Sequence, residues 1–121
     1  MPFQIKRIYD DAKPADGIRV LVDRLWPRGL KKTDAHLEHW MKDVAPTAGL
    51  RTWFGHKPER FAEFRRRYRK ELAVNLEVAT LRKLGKGRRV TLLYSASDPE
   101  NNQAQVLLAV LQGKTAKKKN R

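Results

Sequence analysis

Residues 17–29 read GIRVLVDRLWPRG, and the reading of the fold starts from them. Ile18, Val20, Leu21, Val22 and Leu25 crowd together without the strict alternation of a half-exposed strand, the pattern of a strand buried on both faces. Pro27 and Gly29 then stop it. A strand covered on both faces needs a layer above and a layer below, as when helices flank a parallel sheet. Toward the N-terminus, residues 4–9 alternate around Ile5 and Ile8 as a first strand, and Asp10, Asp11, Pro14, Asp16 and Gly17 supply the turn after it. Residues 89–95, with Val90, Thr91, Leu92, Leu93 and Tyr94, form the third strong strand.

The segments between these strands carry helical spacing. Thr33 and Asp34 cap a helix whose Leu37, Trp40, Met41 and Val44 fall at i, i+3, i+4 and i+7, and Pro46 closes it. Pro58 opens a second helix with Phe61, Phe64, Tyr68 and Leu72 as its buried stripe. The pattern resumes through Leu76, Ala79 and Leu84 and ends at Gly85 and Gly87, as one long helix or a bent pair. Ser97 or Asp98 caps the last helix, Pro99 and Glu100 sit in its first turn, and Ala104, Leu107, Leu108 and Leu111 face inward. Residues 50–54 are the best candidate for an additional strand. The expectation is an α/β fold: a single layered domain over residues 1–112, with a small, mostly parallel sheet flanked by helices, Rossmann-like or flavodoxin-like. Residues 113–121 are read as a basic, disordered tail.

Composition narrows the function. The chain has 121 residues, 27 of them Lys or Arg and 13 Asp or Glu, for a net charge of +14, and it has no cysteine. That excludes a disulfide framework, a thiol nucleophile and a Cys-ligated zinc. No apolar run approaches the roughly 18 residues of a membrane span, and the N-terminus has no apolar signal core, so a cytoplasmic location without a membrane partner is expected. No P-loop or G-x-G-x-x-G string is present, and neither a cofactor nor a metal is called for. His36 and His39 are three apart but lack a third ligand.

The charge is uneven: +2 over residues 1–50, +9 over residues 51–90 and +3 over the remainder. Its densest features are the helical run with Arg65, Arg66, Arg67, Arg69 and Lys70, and the tail with Lys117, Lys118 and Lys119. Nucleic acid is therefore one possible partner, through Arg65, Arg66, Arg69, Lys70 and the tail lysines, because each neutralised phosphate releases counterions. A solvated helix face explains the same run, and no aromatic RNA-binding strand, GXXG loop or finger spacing accompanies it.

The other reading looks to the loops beyond the carboxyl ends of the strands, where ligands sit in open α/β sheets. Asp23, Arg24, Trp26 and Arg28 follow the second strand; Tyr94 and Ser95 end the last, and Asn102 lies where the final helix begins. Guanidinium groups bind phosphate or carboxylate bidentately and an indole offers a flat apolar surface, so a small anionic or phosphorylated ligand is the favoured partner. The competing account is structural, with Trp26 as a core lid, Asp23 paired to Arg24 or Arg28, and Ser97, Asp98 and Asn101 as caps. His56, before Pro58, is a loop histidine that could act as a base. A Ser95–His56–Asp23 triad can be written, but no G-x-S-x-G elbow supports it.

Residues 5–10 (IKRIYD), the stretch from Gly17 to Gly29 continued by Leu30, Lys31 and Lys32, and residues 91–96 (TLLYSA) followed by Asn102 and Ala104 closely resemble the YeaO-like branch of the domain-of-unknown-function 488 family, over roughly residues 3–112. The resemblance implies a small bacterial, cytoplasmic α/β protein and brings no reaction with it. In the broader family an Asp-x-Arg-x-x-Pro string often follows the second strand, similar to Asp23, Arg24 and Pro27 with the Arg displaced by one. A Cys-His-Arg element often opens the last helix there, where this chain reads Asn101, Asn102, Gln103 and Ala104. Thiol-dependent activity of such relatives does not transfer to a chain without that Cys and His.

Overall fold

In a computed structural model, which describes residues 2–113, the strand-forming runs from both ends of the chain meet in one parallel sheet. β1 (Phe3–Arg7) pairs with β4 (Val90–Tyr94), β4 with β2 (Ile18–Leu21), and β2 with the short β3 (His39–Trp40), giving the order β1-β4-β2-β3. Leu92 stands opposite both Ile5 and Val20, which places β4 at the centre, where every one of its residues is buried. The α/β fold class is as expected from the apolar runs.

The period of two along the strands sorts two unequal cores. Val20, Val22, Val90, Leu92 and Tyr94 face the larger one, together with Phe54, Phe64, Tyr68, Leu81 and Leu107 from the helices. Leu21 and Leu93 point the other way, into a small cluster with Ile8 and Ala35 against which Trp26, Leu30, Leu37 and Trp40 pack. The helices on the large face are α2 (Ala48–Phe54), α3 (Phe61–Ala73), α4 (Glu77–Leu84) and α5 (Gln103–Leu111); the other face receives Ala35 from α1 (Lys32–Ala35) and the loop side chains around it.

Four local readings change. The helix expected over residues 33–44 is confined to α1, ended by His36 at φ 51°. Beyond it the chain lies along the open edge of β2: Glu38 N–H donates to the Arg19 carbonyl at 2.9 Å and Met41 N–H to the Leu21 carbonyl at 2.9 Å. Sheet pairing thus overrides the helical spacing, and His36 and His39 do not share a helix face. Residues 50–54 are helical, not extended, because Thr47 caps α2 by accepting from Leu50 N–H and Gly55 closes it at φ 56°.

The basic helical stretch is two helices. Asn75 separates them, accepting from Glu77 N–H at 2.8 Å and donating to the Asp43 carbonyl at 2.8 Å. The inward residues of α4 are Val78 and Leu81, while Leu76 and Ala79 are exposed. The last helix begins four to five residues later than its expected caps. Asp98 closes a turn by accepting from the Glu100 and Asn101 amides, and Asn102 caps α5 by accepting from Gln105 N–H. Among the described residues no helix is long and apolar enough to cross a membrane.

Candidate functional site

The carboxyl ends of β1, β4 and β2 open into a cleft of about 750 Å3, within the usual range of roughly 300–1,000 Å3 for small-molecule sites. Asp23, Arg24, Trp26, Arg28 and Ser95 all line it, so both loops nominated from the sequence reach one cavity. Tyr94 and Asn102 do not line it. Tyr94 packs in the large core, and Asn102, 1% exposed, spends its side chain on the α5 cap and on the Asp98 carbonyl. The lining also includes Arg7 from the end of β1, Tyr9 beyond it, Arg51 and Phe54 from α2, His56 after α2, and Gln103 at the start of α5.

Asp23 is the polar hub at the base. Its Oδ2 accepts both the Ser95 backbone N–H, at 3.0 Å, and the Ser95 hydroxyl, at 2.6 Å. Its Oδ1 accepts the Gln103 side-chain amide. Burial pushes the Asp23 carboxyl above the usual range, and the Ser95 and Gln103 hydrogen bonds and the nearby His56 partly oppose that rise. The ion pair of Asp23 with Arg24 or Arg28 that the structural account required does not form, and the carboxylate is occupied by neutral donors instead. The written triad also fails geometrically: Ser95 bonds Asp23 directly, without His56 between them. His56 sits in the left-handed region at φ 59°, directly after Gly55, with its ring beside Phe54 at 6.1 Å.

The arginines fall into two kinds. Arg24 is fixed, donating from Nε to the Pro46 carbonyl at 2.9 Å and from Nη2 to the Ala45 carbonyl at 3.3 Å. Arg7 donates from Nε to the Ala96 carbonyl at 3.0 Å and lies over the Tyr9 ring at 4.7 Å. By contrast, among the described residues neither Arg28 nor Arg51 has a side-chain hydrogen bond or ion pair. Trp26 is fixed as well: its indole N–H donates to the Leu30 carbonyl at 2.7 Å, and its ring meets Trp40 edge-on at 5.3 Å. The lid role and the lining role of Trp26 therefore coexist.

Residues 2–121 match the family model described as "Inactive DUF488-N3 subclade". The chain belongs to this subclade. Its relatives include Uncharacterized protein YeaO of Escherichia coli K12, 46% identical over 108 residues, covering 88% of this chain and 94% of that protein. Uncharacterized protein Rv3073c of Mycobacterium tuberculosis H37Rv is 44% identical over 111 residues, covering 92% of this chain and 94% of its own. No solved structure matches. In this DUF488-N3 member, the first residue of α5 supplies its side-chain amide to Asp23.

Among the polar side chains of the lining, Arg7 and Arg51 were not singled out from the sequence, and His56 was named only as a base. The available signal was positional. Arg7 ends β1, whereas Arg51 could be placed only once residues 48–54 were known to be helical. The basic run lies along α3, where Arg65, Arg66 and Lys70 are exposed and Arg69 is half-buried. Glu63 bonds Arg66 at 2.6 Å and Arg67 at 2.7 Å, and these partners hold its carboxyl at about 2. Lys117, Lys118 and Lys119, like all of the expected tail beyond Gly113, lie outside the described residues.

Proposed function

We propose that this chain binds a small anionic or phosphorylated ligand in the cleft at the carboxyl edge of the sheet. Charge imbalance carries the reading. Four arginines line the cavity against one carboxylate, and that carboxylate is engaged by Ser95 and Gln103. Arg24 and Arg28 hold negative charge, joined by Arg51 and Arg7; Trp26 covers the ligand and Ser95 orients it from its seat on Asp23. Guanidinium donors left open in a partly enclosed, half-apolar cavity are matched by an anion far better than by water alone. The word "Inactive" in the family's description and the absence of cysteine both support binding over thiol chemistry.

The test is calorimetric titration of the full chain with inorganic phosphate and pyrophosphate, beside a thermal melt at the same concentrations. A ligand at 100 times its Kd stabilises a protein by about 2.7 kcal/mol, so the wild-type melting temperature should rise. In Arg24→Ala/Arg28→Ala both heat and shift should vanish. No heat and no shift for either anion would overturn the reading, as would unchanged affinity in the double variant.

A further inference from the structure

Resting on the anion-binding reading, we propose that the ligand is a planar aromatic compound carrying a phosphate group, with its ring against Tyr9 and Trp26 and its phosphate at Arg28 and Arg51.

Size is the first argument. A cleft of about 750 Å3 is many times the roughly 30 Å3 share of one water in the liquid, so a bare phosphate would leave most of its wall untouched. The ligand needs a body, and the wall states its chemistry. Phe54 stacks on Phe64 with ring centres 4.3 Å apart at 19°, and both line the cavity. Trp26 has given its only polar atom to Leu30, so ring surface is all it offers a ligand.

The second argument is the coupling of ring to cation. The Tyr9 hydroxyl donates to the Arg28 carbonyl at 2.7 Å, which ties an aromatic ring, 40% exposed, to the residue bearing an open guanidinium. Arg7 braces that ring at 4.7 Å. Trp26 reaches the same residue through the single rigid Pro27. An apolar surface and an open cation are thus held side by side on one short loop. A ligand that joins a flat ring to a phosphate satisfies both at once, since rings stack on aromatic side chains while a phosphate takes bidentate guanidinium bonds.

The experiment titrates the full chain with 1-naphthyl phosphate, methyl phosphate and 1-naphthol. Naphthyl phosphate should bind at least about tenfold tighter than methyl phosphate, the scale of stacking one ring on an aromatic side chain. Tyr9→Leu should weaken naphthyl phosphate by a larger factor than methyl phosphate, bringing the two affinities together, and an unchanged ratio would overturn the inference. Arg28→Ala/Arg51→Ala should remove binding of both phosphates. Equal affinity for the two phosphates would overturn this inference and leave the anion site standing. Naphthol binding as tightly as its phosphate would also overturn it, and binding of neither phosphate would remove the anion site as well.

Discussion

Ser95 gives both its backbone N–H and its hydroxyl to one oxygen of Asp23. This double contact ties the loop after β2 to the end of β4, the two central strands, at the floor of the cleft. Gln103 completes the clamp from α5. Two stretches distant in sequence, the loop after β2 and the segment from Ser95 to Gln103, therefore converge on one carboxylate, and the cleft takes its shape from that convergence.

Ser95→Ala removes the hydroxyl half of this clamp. The Asp23 carboxyl, already raised by burial, loses one of the donors that lower it and should titrate higher still. Carbon-detected NMR of the Asp23 side chain follows that directly. Denaturant melts near neutral pH should show a loss of about 1.5–3 kcal/mol, the usual scale for a hydrogen bond to a charged group.

Asp16 responds to pH with the opposite sign. Burial alone would raise its carboxyl, but the Lys13 amide, Lys6 and Arg19 together bring it below the ordinary value of 3.8; Arg19 Nη1 is 2.6 Å away and Lys6 Nζ 3.0 Å. A depressed folded value means its stabilisation is present above the unfolded pKa and is lost as pH falls through the folded one. Asp23, raised, contributes stability below its unfolded pKa that is lost as pH rises through its folded value. Asp16→Asn should cost about 3–5 kcal/mol at neutral pH, because the buried Arg19 and the half-buried Lys6 lose their anion, and the difference between wild type and variant should shrink as pH falls through the depressed folded value of Asp16. Parallel stability curves from pH 7 to pH 2 would contradict this assignment.

The arginines of the cleft should separate by stability. Arg24→Ala forfeits two bonds to buried carbonyls and should cost about 1–3 kcal/mol. Arg28→Ala and Arg51→Ala should stay within about 0.5 kcal/mol of wild type, as surface substitutions do. Urea midpoints for the three single variants check this without any ligand, and a large loss in the Arg28 or Arg51 variant would mean that it supports the fold.

Legibility in the sequence followed the range of the forces involved. The central strands were readable because Val20, Leu21, Leu92 and Leu93 are fully buried, and burial on both faces leaves a continuous apolar run. β3 was not, because His39 and Trp40 form a strand only through the open edge of β2, a long-range demand that a helix-like spacing at Leu37, Trp40, Met41 and Val44 conceals. α2 is two turns long, too short for its period to show, although the Thr47 cap and Gly55 stop mark its ends. The cleft was half legible for the same reason. Asp23, Arg24, Trp26, Arg28 and Ser95 stand beside recognisable strand ends, while Arg51 and His56 depend on a helix whose reading was reversed.

Gly17 shows how narrow the entry to the sheet is. Its φ of +65° is one that residues with a Cβ rarely adopt, and a Cβ there would lie 2.3 Å from the Arg89 carbonyl oxygen. That oxygen accepts the Ile18 N–H at 2.9 Å, the bond that starts the β2–β4 ladder. Gly17→Ala therefore suffers backbone strain and a clash with a backbone atom that cannot move without breaking the first rung, and should lose more than about 2 kcal/mol. Gly29→Ala separates the two costs, since Gly29 shares a positive φ of +74° but a Cβ there meets nothing within 4 Å. It should lose only the roughly 1–2 kcal/mol of left-handed strain. If urea melts gave equal losses for both variants, the close approach of Gly17 to β4 would contribute nothing, and the turn would be held by conformation alone.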